Sequence, residues 1–110
     1  MRKIESLMNR AIARKENWSQ ANTEVVVGFQ DNATVWLHGH HIATVSPGGT
    51  VAVNLETLQD WPTSTTKSRL RALGVPVYTK AGRVYVDGCD VAHYGYRTMT
   101  IDYTDTRYIA

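Results

Sequence analysis

Apolar residues fall at Ile4, Leu7, Met8, Ala11 and Ile12, three and four positions apart, among Arg2, Lys3, Arg10, Arg14 and Lys15. This spacing puts the apolar side chains on one stripe of a helix over residues 2–15 and the cations on the remaining face. Asn17 to Asn22 breaks the pattern, with Trp18 expected against the core. From Thr23 the period shortens to two. Thr23 to Phe29 is rich in valine, and Asp31-Asn32 forms a turn. Ala33 to His38 alternates Val35 and Leu37 with Thr34 and Trp36, and Ile42–Ser46 and Thr50–Asn54 follow. Short alternating runs joined by tight turns predict a four-stranded antiparallel meander. A glycine in first place suits a type II′ turn, so Gly39-His40 is the expected hairpin tip, with His38 opposite His41. Pro47-Gly48-Gly49 makes the next turn.

Leu55, Leu58 and Trp61 are spaced for a short helical turn. Pro62 disfavours helix at Trp61, and Thr63, Ser64 and Thr65 offer hydroxyls to the free amides of a following helix. That helix is predicted over Thr65–Leu73, with Leu70 and Leu73 inward and Gly74 closing its last turn. Val75–Thr79 and Arg83–Asp87 read as a late hairpin, and Pro76, lacking an amide donor, marks an edge strand. His93 to Ala110 carries Tyr94, Tyr96, Tyr103 and Tyr108 and reads as one more strand or an extended arm. The predicted fold is one α+β domain over residues 1–110. An N-terminal amphipathic helix packs on a twisted antiparallel sheet, with a second short helix and a C-terminal hairpin.

Composition adds limits. The 110 residues are 43% hydrophobic with a net charge of +2, an ordinary globular chain with no overall basicity that compels a polyanionic partner. The cations are unevenly spread, however, concentrated in the N-terminal helix and in Lys67, Arg69 and Arg71. From Val84 onward aspartates outnumber them. Cys89 is the sole cysteine, which excludes an intramolecular disulfide and suits a reducing compartment. No stretch resembles a signal peptide or reaches the roughly 20 apolar residues of a membrane span. A cytoplasmic location without a membrane partner is expected.

Three clusters invite chemistry. Thr65, Thr66, Lys67 and Ser68, with Arg69 and Arg71, combine helix amides, hydroxyls and guanidinium groups as a landing place for phosphate. Arg10 and Arg14 would lengthen the track if both helices share a side. Aromatics interleave with the sheet segments at Trp36, Trp61, Tyr78 and Tyr85, and exposed rings can stack unpaired bases. Trp36 is expected in the core, beneath the first helix. His38-Gly39-His40-His41 is the densest group of metal-ligand types, but nothing nearby completes the three or four ligands a zinc site needs. A polar hairpin tip is the simpler reading. Cys89 and His93, with Asp87 or Asp90, form a nucleophile-and-base pattern only on a helix, and the surrounding residues read as a turn. Paired carboxylates, a phosphate-binding glycine loop and a serine elbow are not seen. No enzymatic activity, cofactor or metal is therefore expected.

Several short motifs occur in a recognisable order. They are Asn17-Trp18-Ser19 with Asn22-Thr23-Glu24-Val25, and Val35-x-Leu37-His38-Gly39-x-x-Ile42-Ala43. Then come Trp61-Pro62-Thr63-x-Thr65-Thr66-Lys67-Ser68-Arg69-Leu70-x-Ala72-Leu73 and Gly82-x-Val84-Tyr85-x-Asp87-Gly88. From the N-terminal helix to about Gly88, the chain resembles a group of small uncharacterised accessory proteins of tailed bacteriophages. The resemblance implies a phage protein made in the cytoplasm of an infected bacterium. It supplies no activity and no site residues.

The first functional expectation is a non-enzymatic nucleic-acid binder using Thr65, Thr66, Lys67, Ser68, Arg69 and Arg71, extended by Arg10 and Arg14. The alternative is an inhibitor of a host enzyme or antiviral defence system, binding a host protein through Tyr94, Tyr96, Tyr103 and Tyr108. A third is a small-ligand or metal binder at the His38/His41 hairpin. The tail could instead pair with a second copy, giving a homodimer.

Overall fold

The computed structural model describes residues 2–102. The first helix, α1, spans Lys3–Arg14, with Met8, Ala11 and Ile12 buried. The Glu5 carboxylate accepts from the Arg2 backbone N–H (3.2 Å) and closes the first turn. Lys15, left-handed at φ 55°, ends the helix. Next come β1 (Trp18–Gln20), β2 (Thr23–Val27), β3 (Ala33–Leu37), β4 (His40–Val45) and β5 (Thr50–Val53). They are followed by α2 (Leu55–Asp60), α3 (Ser64–Ala72), β6 (Val77–Lys80), β7 (Arg83–Val86), β8 (Cys89–Asp90), α4 (Val91–Tyr94) and β9 (Met99–Asp102).

The predicted meander is β2 to β5, and the sheet gains a strand on each side, in the order β1-β2-β3-β4-β5-β9. Segment Asn17–Asn22, expected only to break the helix, supplies β1, which folds back on β2 with Trp18 opposite Val25. Part of the tyrosine-rich end supplies β9, antiparallel to β5, so the strand alternative holds through Asp102. The late hairpin is present as β6 and β7 and gains β8.

Alternation decides which face is covered. Ala33, Val35 and Leu37 of β3 are buried with Val51 and Val53 of β5, while Thr34, Trp36 and Ala52 point the other way. The helices bring Met8, Ile12, Leu55, Leu58, Leu70 and Leu73 onto the apolar face, and Val77, Val86 and Val91 of the second sheet join the same cluster. Burying each such side chain stabilises the fold by about 1.5–3 kcal/mol. Trp36 therefore lies opposite the helices, half-buried, and not beneath α1 as expected. Its Nε1 donates to Thr34 Oγ1 (2.9 Å).

One irregularity shapes the hairpin tip. Between β3 and β4 the register slips at Val35/Trp36, so Trp36 faces His41 and Leu37 faces His40. Ile42 is the extra residue, and it and Ala43 are buried in succession as in a β-bulge. The bulge moves the turn one residue toward the N-terminus. The two loop residues are His38 and Gly39, both with positive φ (51° and 78°), the requirement of a type I′ turn. The expected Gly39-His40 tip is thus corrected.

Helix α3 is closed at both ends as its sequence dictates. Thr63 is the cap, its Oγ1 accepting from Thr66 N–H (3.1 Å). At the other end Gly74 adopts φ 91°, Val75 N–H reaches Leu70 O (3.0 Å) and Gly74 N–H reaches Arg71 O (2.9 Å). This is a Schellman ending, which the glycine permits.

Candidate nucleic-acid interface

Helices α1 and α3 lie side by side, joined by polar contacts that fix their register. Glu5 Oε2 accepts from Ser68 Oγ (2.6 Å) and from Arg69 Nη1 (2.8 Å), and Asn9 Nδ2 donates to Ala72 O (3.0 Å). Both pairings advance along the chain together, so the helices run in the same direction. Arg69 Nε also donates to Thr23 Oγ1 (3.0 Å), tying both helices to β2. Glu5 and Arg69 are only 2% and 3% exposed. Burial by itself raises the Glu5 carboxyl. Hydrogen bonds from Ser68, Arg69 and the Arg2 backbone, with the Arg69 charge, outweigh it and hold the group below its ordinary value.

This network corrects part of the expected phosphate site. Arg69 is the buried partner of Glu5, with no surface to offer a ligand. Thr66 is buried, with its hydroxyl against that of Thr63 (2.9 Å), and Ser68 is engaged by Glu5. The reason is periodicity: positions 66, 69, 70 and 73 share the inward stripe, and the arginine on it meets a carboxylate from α1. Thr65 is half-buried. Lys67 is partly exposed, its Nζ donating to Thr79 Oγ1 (2.7 Å). Arg71 is exposed and donates from Nη1 to Val77 O (3.0 Å). Arg10 and Arg14 are exposed along the outer side of α1, with Lys3 a turn and more before them.

The histidines separate. His38 Nε2 meets Asn22 Nδ2 (3.4 Å), and His40 stacks on Trp61 with ring centres 4.8 Å apart. His41 packs against Trp36, and its Nε2 meets Thr44 Oγ1 (2.9 Å). Asn54 Nδ2 donates to His41 Nδ1 (3.3 Å), while Asn54 Oδ1 accepts from Thr57 N–H and caps α2. Nδ1 is therefore the acceptor nitrogen, and burial lowers the His41 pKa. His38 and His41 do not face each other across the turn, since the bulge sets them on different pairs. Among the described residues, no three His, Cys, Asp or Glu side chains gather into a group able to hold a metal.

The aromatics pair among themselves and form no continuous platform. Tyr78 and Tyr85 stack on each other across the β6–β7 hairpin (5.2 Å), and Arg97 lies over Tyr94 (5.4 Å). Tyr96 is exposed beside a polar groove of about 310 Å³ that His41, Asn54 and Glu56 also line. Tyr103 and Tyr108 fall outside the described residues. Cys89 is exposed, and His93 Nε2 lies 3.7 Å from Asp90, which is already bound to Arg83 and caps α4. The hydrogen bond from Arg83 keeps the Asp90 carboxyl below its ordinary value.

Sequence reasoning passed over Phe29. It is 85% exposed, in a 3-10 turn that ends β2 two residues earlier than expected. Gly28 before it and the turn-forming Asp31-Asn32 after it are the signals that take it out of the strand.

Fold and surface together define a small α+β protein with two adjacent helices that carry exposed arginines. Among the described residues, no helix is long and apolar enough to cross a membrane. The chain belongs to the Kyanoviridae Gp96 protein family, a family of phage proteins, matched over residues 1–109. The match takes in the tyrosine-rich end, beyond the Gly88 limit of the likeness read from the sequence. No curated protein and no solved structure matches the chain.

Proposed function

We propose that this phage protein is a nucleic-acid-binding module without enzymatic activity, acting in the cytoplasm of the infected host through its paired helices. The observation that carries the reading is the register of α1 on α3, held by Glu5 with Ser68 and Arg69 and by Asn9 with Ala72. It sets side by side the two helices that carry Arg10, Arg14, Lys67 and Arg71, which supports reading these cations as one track. Such a row suits a phosphate backbone, where each neutralised phosphate releases counterions. Arg69 serves indirectly, by locking the helices that display the others.

The test is binding to labelled single- and double-stranded DNA and RNA across a salt series. A variant carrying Arg10→Gln, Arg14→Gln and Lys67→Gln leaves the buried pair and the Arg71 contact to Val77 untouched. Wild type should weaken steeply with salt, and the variant should lose about 2–3 from the log–log slope, near one per phosphate contact. Normal binding by that folded variant would refute the assignment.

A further inference from the structure

The β6–β7 hairpin carries a two-ring stack at an open sheet edge. Val77 and Val86 turn into the core, so alternation puts Tyr78, Lys80 and Tyr85 on the outer face of the hairpin. Tyr85 is half-buried and covers one face of the Tyr78 ring, with centres 5.2 Å apart and planes 12° from parallel. Tyr78 itself is 44% exposed. The second sheet runs β6-β7-β8, so among the described residues no strand lies beyond β6 to cover the other face of that ring.

Two cations from α3 are fastened to the same edge. Asp87 N–H bonds to Pro76 O, which makes Tyr78 and Tyr85 the next hydrogen-bonded pair and turns the Val77 carbonyl away from β7. That carbonyl accepts from Arg71 Nη1, and Thr79 Oγ1 accepts from Lys67 Nζ. The residues on either side of Tyr78 thus each hold a cation, the two a helical turn apart on α3. Neither partner is a carboxylate, so neither charge is neutralised by its contact. Across residues 64–90, Arg69 is matched by Glu5 and Arg83 by Asp90, which leaves Lys67, Arg71 and Lys80 against Asp87.

An open aromatic face bracketed by cations suits one chemical unit, a base with its phosphates. We propose that α3 and the hairpin bind single-stranded nucleic acid, with an unpaired base stacked on Tyr78 and its flanking phosphates on Lys67 and Arg71. A duplex offers no such base, because each interior base already has neighbours on both faces. This site rests on the nucleic-acid reading above and adds to it the strand type and the ring that selects it. Single strands therefore bind more tightly than duplexes of equal length, although duplexes carry the denser charge.

The test compares a labelled oligothymidine with a duplex of the same length, by fluorescence anisotropy at one fixed salt concentration. Wild type should prefer the single strand. Tyr78→Leu should weaken single-strand binding about 5- to 150-fold, the equivalent of the roughly 1–3 kcal/mol of one base stack, and leave duplex binding unchanged. Tyr78→Phe should bind like wild type, since the ring is retained, and circular dichroism reports the fold of both. The wild type gives a second readout: irradiating its complex with an oligothymidine carrying 5-iodouracil should crosslink Tyr78. Failure of the wild type to bind any nucleic acid would overturn this site together with the proposed function. Salt-sensitive binding with the duplex preferred would overturn this site alone. So would a Tyr78→Leu protein that binds single strands like wild type, or a crosslink found only at other residues.

Discussion

Replacing Arg69 by alanine should strongly destabilise the protein, although a charged side chain on a basic helix reads as a surface residue. The guanidinium is buried against Glu5 at 2.8 Å and holds Thr23 at 3.0 Å. Removing it strands a buried carboxylate with only Ser68 and the Arg2 amide as partners. Removing one member of such a pair costs about 3–5 kcal/mol, from a total stability of roughly 5–15 kcal/mol. With a urea slope near 1.5 kcal/mol/M, the midpoint should fall by about 2–3 M. The double variant Glu5→Leu/Arg69→Met should recover most of that loss, because an apolar pair has no uncompensated charge. Acid gives a second readout. The folded-state carboxyl of Glu5 lies below its ordinary value of 4.5. Its contribution is present above that value and is lost as pH falls through the folded one, so Arg69→Ala should flatten this acid limb. A single variant within about 1 kcal/mol of wild type, as for an exposed ion pair, would refute the reasoning. The same logic bars Arg69 from any charge-removal test of binding, since its loss would imitate lost contact by loosening the helices.

Two further outcomes are expected. His41 is held neutral by burial, so its contribution to stability is present above the ordinary histidine value near 6.5 and is lost as pH falls through the lower folded one. Urea midpoints should drop as pH falls below about 6.5, and His41→Leu should remove that slope. If the slope persists in the variant, His41 is not its source. Gly74→Ala should cost about 1 kcal/mol in thermal or urea unfolding, because φ 91° strains any side chain. An unchanged midpoint would mean that the helix ends another way.

The helix of residues 3–14, the meander and the late hairpin were legible because their signals are local: apolar spacing, alternation and turn residues within a few positions. The capping of α3 was legible too, since Thr63 and Gly74 act on their own neighbours. What escaped depends on partners distant in sequence. Nothing around Arg69 announces that Glu5, 64 residues away, will turn it inward. The bulge at Ile42 is a sheet property, and one extra residue was enough to shift the tip and part His38 from His41. Strand β1 is only Trp18–Gln20, too short for alternation to register, and β9 is recognisable only by its pairing with β5. Arg10, Arg14 and Arg71 are exposed and Lys67 partly so, because they lie off the inward stripes.

The place of β9 carries a kinetic consequence. Strands β2 and β3 meet at Val27 and Ala33, six positions apart, whereas Val51 meets Ile101 across fifty. Closing the longer loop costs about 2 kcal/mol more in chain entropy. The meander can therefore assemble from neighbouring contacts while α2, α3 and the second sheet are still being ordered, and β9 joins after them. The strand that completes the sheet is then the last held and the first released. The five strands before it can open and close that edge without surrendering their own pairing.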